Sequence, residues 1–87
     1  MSKNEQRAAT VRGAKRVLTD AKRNRDYAYD ADLPTWVRAA CQQRVEAARR
    51  RLAELRHAEL TAQGNPMAGL IAAWDAEADR VTDRTGR

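Results

Sequence analysis

The sequence predicts an all-α protein, with a helical hairpin of two long amphipathic helices and a shorter third helix. Alanine and arginine, which both favour helices, account for 18 and 14 of the 87 residues. Apolar residues recur at three- and four-residue spacing in three segments. Turn-forming residues around Pro34 and Pro66 separate these segments. We therefore expect residues 1–87 to form one small helical domain, as a bundle or a coiled-coil-like assembly.

The first segment predicts a helix over about residues 3–28. Ser2 and Glu5 have the spacing of a capping box, which satisfies backbone N–H groups of a first turn. One side of this helix carries an apolar stripe: Val11, Ala14, Val17, Leu18, Ala21 and Ala28. The opposite side carries a basic face: Arg12, Lys15, Arg16, Lys22 and Arg23. We expect the basic face to point to solvent. Arg25 lies in line with the apolar stripe, and we expect its long side chain to extend past the stripe to water.

The second segment predicts a helix over about residues 34–63, after a turn over 29–33. Proline is tolerated in the first turn of a helix, and Gly64 suits a C-terminal cap. Apolar residues step along this helix by 4, 4, 3, 4 and 3 positions: Val37, Cys41, Val45, Ala48, Leu52 and Leu55. This spacing is typical of a coiled-coil seam, and we expect it to form an interface between copies of the chain.

The third segment predicts a helix over about residues 66–83. Asn65 is a good N-cap, and Pro66 suits a first turn. Six apolar residues share one face: Met67, Leu70, Ile71, Trp74, Ala78 and Val81. Four acids make this helix the acidic one: Asp75, Glu77, Asp79 and Asp83. The sequence leaves open whether it folds back on the hairpin or docks on a second chain.

The apolar content is low for a self-sufficient core. Valine, leucine and isoleucine together number 12, and alanine buries little area per residue. A chain of this length with such a core is marginally stable alone. We therefore expect a homo-oligomer, a protein partner, or both.

Catalytic chemistry has little support in the sequence. Cys41 lies on the apolar stripe of the second segment, where a cysteine acts as a small buried hydrophobic residue. His57 falls on the outer face of the same helix, about 24 Å further along at 1.5 Å per residue. One cysteine and one histidine are too few for an ordinary zinc site. We expect no catalytic residue, no metal and no cofactor.

Two features are candidates for binding. The basic face of the first segment could contact nucleic acid or an acidic partner, since 17 basic residues against 12 acidic ones give a net charge of +5. Trp36 and Trp74 are the largest side chains; they either close the two ends of a small bundle or anchor a protein partner. The run Arg49–Arg51 spreads around a helix, so we interpret it as covering the seam.

These observations favour a small non-catalytic interaction protein, acting as an adaptor, assembly factor or inhibitor that binds itself or a larger protein. The alternative is a small accessory DNA- or RNA-binding protein that uses the first helix. No apolar run is long enough for a membrane span, and no signal-peptide pattern begins the sequence. A cytoplasmic location is therefore expected.

Overall fold

The computed structural model describes residues 10–85, with the side chains of residues 10–83. It contains three helices: α1 (Val11–Asp30), α2 (Thr35–Ala62) and α3 (Ala68–Thr85). The described residues form no strand, so the all-α prediction is confirmed. Within this part of the chain, every helix is too short or too polar to cross a membrane.

Among the described residues, α1 begins at Val11; the part of the predicted helix over residues 3–9 lies outside them. Thr10 has an extended backbone, and its hydroxyl accepts a hydrogen bond of 2.9 Å from the N–H of Gly13, as an N-cap does. The capping box proposed for Ser2 and Glu5 lies outside the described residues. At the other end, Asp32 adopts a φ of 52°, which aspartate tolerates better than most residues.

The turn between the second and third helices matches its sequence signals. Gly64 has a φ of 77°, and the N–H of Asn65 donates to the carbonyl of Leu60 at 3.0 Å, which closes α2 as a glycine cap does. The side chain of Asn65 then accepts the N–H of Met67 at 2.8 Å. α3 begins at Ala68, two residues after the predicted start.

The apolar core lies where α1 crosses α2. Leu18 packs with Val45 and Ala48, and Leu52 is partly buried against them. The middle of the α2 seam is therefore covered by α1 of the same chain. An interface between copies along this seam stays a prediction, and the seam residues at either side are half-buried in the single chain: Val37, Cys41 and Leu55.

The third helix folds back on α2 of its own chain, which is one of the two arrangements that the sequence left open. Ala68 and Ala72 are buried against α2, whereas the large apolar residues of α3 are mostly exposed. The small alanines let α3 approach α2 closely, and two aspartates on the same side bind buried arginines, as described next.

Two arginines lie in the interior. Arg25 of α1 and Arg49 of α2 are only 3% and 2% exposed. The guanidinium of Arg25 donates to both carboxylate oxygens of Asp83 on α3, one of these bonds measuring 2.7 Å, and also to Asp26 at 2.9 Å. The prediction that Arg25 extends to water is wrong, because Asp83 offers it a bidentate partner inside the fold.

Arg49 and Lys22 complete the same network. Arg49 donates from Nε to Asp79 at 2.8 Å and from one terminal nitrogen to Asp83 at 3.0 Å. Its other terminal nitrogen donates to Glu46. Lys22 donates to the second oxygen of Asp79 at 2.5 Å. Lys22 was expected to face solvent; it is half-buried instead, because Asp79 draws it across to α3.

This network is the direct link between α1 and α3. α2 packs against both of them, but in the part of the chain described here no Cα atom of α1 comes within 8 Å of one in α3. The Cα atoms extend over 46 × 33 × 16 Å, a flattened shape in which α1 and α3 flank α2. Long charged side chains therefore span a gap that apolar side chains leave open.

The network lowers the pKa of both aspartates. Hydrogen bonding from Arg25 is the main cause for Asp83 and outweighs the opposing effect of burial. For Asp79, burial is the largest single influence and would raise the pKa, but hydrogen bonds from Lys22 and Arg49 together lower it. Hydrogen bonding to Asp83 raises the pKa of Arg25, and for Arg49 the effect of burial, which would lower the pKa, is outweighed by Asp79 and Glu46; both arginines therefore stay charged at any ordinary pH.

Removing one carboxylate from the network should destabilise the fold strongly. We expect Asp83→Asn to lower the free energy of unfolding by about 3 kcal/mol, near the lower end for breaking a buried pair, because Arg25 and Arg49 each keep another carboxylate. Urea denaturation followed by far-UV circular dichroism measures this loss. Asp20→Asn is the control, because Asp20 is exposed and outside the network. Equal stability of the two variants would contradict the structural role of Asp83.

Stability should also fall in acid. Because Asp79 and Asp83 have lowered pKa values in the folded state, their stabilising effect is complete above the pKa of an unfolded aspartate, about 3.9, and is lost as pH falls through the folded-state values. The urea midpoint should therefore hold steady from about pH 7 to 5 and drop between about pH 4 and 2. Asp83→Asn should flatten that drop. An equally steep drop in the variant would place the acid sensitivity elsewhere.

Candidate interaction surfaces

The outward side of α3, counted with Met67 just before it, carries four exposed large apolar side chains, more than either of the other two described helices. We call it the outer stripe; its members are Met67, Leu70, Ile71, Trp74, Ala78 and Val81. Trp74 is 64% exposed and Leu70 is 42% exposed, while Ile71 is half-buried at the edge of the stripe. Contiguous exposed apolar surface of this kind typically marks an interaction site.

The charges beside the outer stripe are neutralised within the chain. Asp75 accepts a hydrogen bond from Arg56 of α2 at 3.3 Å. Glu77 accepts one from Arg80 at 2.7 Å, one turn further along α3. The acids that made α3 the acidic helix are therefore matched by nearby arginines. The outer stripe is consequently an apolar surface without a strong charge of its own.

The two tryptophans do not close a bundle. Trp36 is 75% exposed near the start of α2, and Trp74 is largely exposed on α3. Trp36 lies nine residues before the buried Val45, which places it on the opposite side of α2. The bundle-closing interpretation is wrong for both residues, because the core that they would cap lies on the other sides of their helices.

Four of the five residues of the predicted basic face remain available on α1. Arg12, Lys15, Arg16 and Arg23 are exposed, and none of them forms an ion pair with any side chain that the structure describes. Lys22 is the exception, since it binds Asp79. The basic face lies on α1 and the outer stripe on α3, so the structure does not bring these two candidate surfaces together.

A groove of about 530 Å³ runs between α1 and α3. Leu18, Leu52 and Ala72 give it an apolar lining. Its charged groups are engaged with one another, apart from Lys15 at the rim: Lys22 and Arg49 bind Asp79, and Arg56 binds Asp75. The groove therefore presents little uncompensated charge to a ligand.

Cys41 and His57 stay apart on α2. Cys41 is a free thiol that is half-buried rather than fully buried. His57 is exposed and lies close to Gly69 of α3. A Cβ atom added at Gly69 would lie 3.7 Å from the Nε2 atom of His57. Residues 10–83 contain no cluster of three or more histidine, cysteine or acidic side chains with the geometry of a metal site.

The interior network was missed by sequence reasoning, although the sequence carries a signal for it. Asp75, Asp79 and Asp83 recur every four residues and continue the row begun by Ala68 and Ala72. Such a row predicts a helix side that pairs with cations rather than with apolar residues. The position of Arg25 within the apolar stripe of α1 is the matching signal.

Comparison with known proteins identifies no relative. No protein-family model matches the chain, and no curated protein and no solved structure gives a significant match.

Proposed function

We propose that this chain is a non-catalytic interaction protein that receives an apolar surface of a protein partner on the outer stripe of α3. The exposure of Trp74 and its neighbours on a helix whose other side is firmly attached carries this proposal. Tryptophan is the residue type most enriched among the side chains that dominate binding energy. α3 is held in place by Asp79 and Asp83, so the stripe is a fixed surface rather than a loose segment.

The remaining features support a binding role over a catalytic one. The groove between α1 and α3 is lined by ion pairs that satisfy each other. The single cysteine and the single histidine lie on one helix about 24 Å apart, by the rise of an α-helix. Neither observation offers a nucleophile with a base beside it, which covalent catalysis needs.

A charge placed in the outer stripe should abolish partner capture. We expect Leu70→Glu to reduce capture by immobilised protein at least about tenfold, because the partner would have to bury a carboxylate in an apolar contact. The measurement is an affinity capture from nuclease-treated lysate of the encoding cell, quantified for each captured protein. The matched control is Val17→Glu, which places the same charge at an exposed valine of α1.

Two results would contradict this proposal. Capture that is equally strong with Leu70→Glu and with the native chain would remove the outer stripe from the interaction. Capture that disappears on nuclease treatment would show that nucleic acid mediates it. Melting curves from circular dichroism should be similar for the native chain and both variants, since both substituted side chains are substantially exposed.

Nucleic-acid binding through the basic face is the second candidate. Its support is the exposure of Arg12, Lys15, Arg16 and Arg23 without ion-pair partners among the described side chains. Cations on one side of a helix can follow phosphates without reading sequence. Tyr27 is exposed towards the end of the same helix, where its ring could stack on a base.

Charge reversal on α1 tests this second candidate. If the basic face binds duplex DNA, the native chain should show a salt slope of about −3.6 for four phosphate contacts, and Arg12→Glu/Arg16→Glu/Arg23→Glu should bind no duplex. The control reverses Arg44, Arg50 and Arg51, which are exposed on α2, and changes the net charge by the same six units. A duplex titration at two salt concentrations distinguishes the variants. Equal losses in both would indicate a net-charge effect only, and no binding by the native chain would exclude this function.

A further inference from the structure

We propose that the outer stripe is covered by a second copy of this chain, through an antiparallel pairing of the two α3 helices. This inference rests on the proposed function, since it names the occupant of the same surface. The evidence lies in the spacing of the exposed residues, in the sizes of the side chains that would meet, and in the charges around them.

The spacing of the stripe is that of a coiled-coil seam. Met67, Ile71, Trp74 and Ala78 are separated by 4, 3 and 4 residues, which alternates as the inward positions of a heptad do. Such a seam on an exposed helix side fits another helix with the same period. A two-fold axis would place the seam of one chain against the same seam of a second chain. Such a contact is self-complementary and closes the assembly at two chains.

Side-chain size selects the antiparallel direction. In that direction Met67 meets Ala78 of the second copy and Ile71 meets Trp74 of the second copy, so larger residues face smaller ones. In a parallel pair each residue would face itself. Two tryptophans would then crowd one layer, and two alanines would leave a gap in the next. Interdigitation at interior packing density is reached in the antiparallel pair.

The charges near the stripe permit this pairing. In the antiparallel register Glu77 lies near Leu70 of the second copy, and Asp75 lies near Ala68 of the second copy, so no two acids face each other. Both acids are also matched within the chain, by Arg80 and Arg56. The exposed cations of the basic face lie on α1, across the groove from α3. The net charge of +5 therefore does not concentrate where the copies would meet.

The size of the contact predicts a weak dimer. Four layers of side chains between two short helices bury roughly 1,000 Å² in total, the lower limit for a specific interface. Trp74 supplies the largest single part, because a tryptophan side chain offers roughly 150–250 Å². We therefore expect a dimer that dissociates at micromolar concentration and whose stability depends on Trp74.

Sedimentation velocity over a range of concentrations tests the pairing. The native chain should convert from monomer to dimer between about 1 and 200 µM. Trp74→Ala should raise the dissociation constant at least about 30-fold, as loss of a central anchor does. Trp36→Ala is the matched control, because it removes the same side chain from another exposed site, on α2, and should leave the dissociation constant unchanged.

Disulfide trapping tests the direction. In a Cys41→Ala background, the double variant Met67→Cys/Ala78→Cys should form a covalent dimer under mild oxidation. Each single variant should not, because identical positions lie about 16 Å apart in the antiparallel register, far beyond the reach of a disulfide. The two introduced thiols cannot join within one chain for the same reason. Circular dichroism of each reduced variant confirms that it is folded.

Three results would overturn the inference. These are a monomer at every concentration, a dimer that Trp74→Ala leaves intact, or covalent dimers from either single cysteine variant, which would indicate a parallel pair. A monomeric chain that still captures another protein, and loses it with Leu70→Glu, would overturn the second-copy inference while supporting the proposed function. A dimer that meets the expectations above, without capture of any other protein, would support self-association alone.

Discussion

The pairing of two buried guanidinium groups with two aspartates of α3 is the constraint on which the rest of this structure depends. Arg25 and Arg49 occupy interior positions of α1 and α2, and an interior arginine without a carboxylate is strongly destabilising. Asp79 and Asp83 meet that need from one side of α3. They thereby fix which side of α3 faces the hairpin. The exposure of the outer stripe on the opposite side follows directly from this choice.

The magnitudes of the competing terms explain why the charged side of α3 prevails. Turning α3 to bury Leu70, Trp74 and their neighbours would gain about 2 kcal/mol for each large side chain, or roughly 6 kcal/mol for three. It would also leave Arg25 and Arg49 without their partners on α3, at about 3 kcal/mol each, because Asp26 and Glu46 remain beside them. The two terms are therefore of similar size. The alanines of the inward side add close helix packing, which the bulky outer stripe could not provide.

The fold was predictable from the sequence to the extent that it depends on local signals. Three helices, the glycine cap at Gly64 and the N-cap at Asn65 follow from residue types near each boundary. The inward direction of α2 at Val45 follows from apolar periodicity. The rotation of α3 about its own axis does not follow from apolar periodicity, because that pattern favours the burial of its larger apolar residues. Its actual setting depends on Arg25 and Asp83, which are 58 positions apart and whose proximity only the folded chain reveals. The burial of Arg25 was missed for the same reason.

The network that stabilises the single chain also leaves apolar surface exposed to water on the outer side of α3, which is unfavourable in free energy. Rotation cannot remove that cost without breaking the ion pairs, so the surface can be covered only from outside. A partner bound to the outer stripe would bury this apolar surface and so add to the stability that the network provides. Both contributions are compatible, because Asp79 and Asp83 keep α3 attached to the hairpin while its other side is occupied. The basic face of α1 lies on a different helix, across the groove, and remains exposed in such a complex. Two kinds of binding could therefore coexist in this small fold, an apolar contact on α3 and an electrostatic one on α1, each independent of the other's geometry.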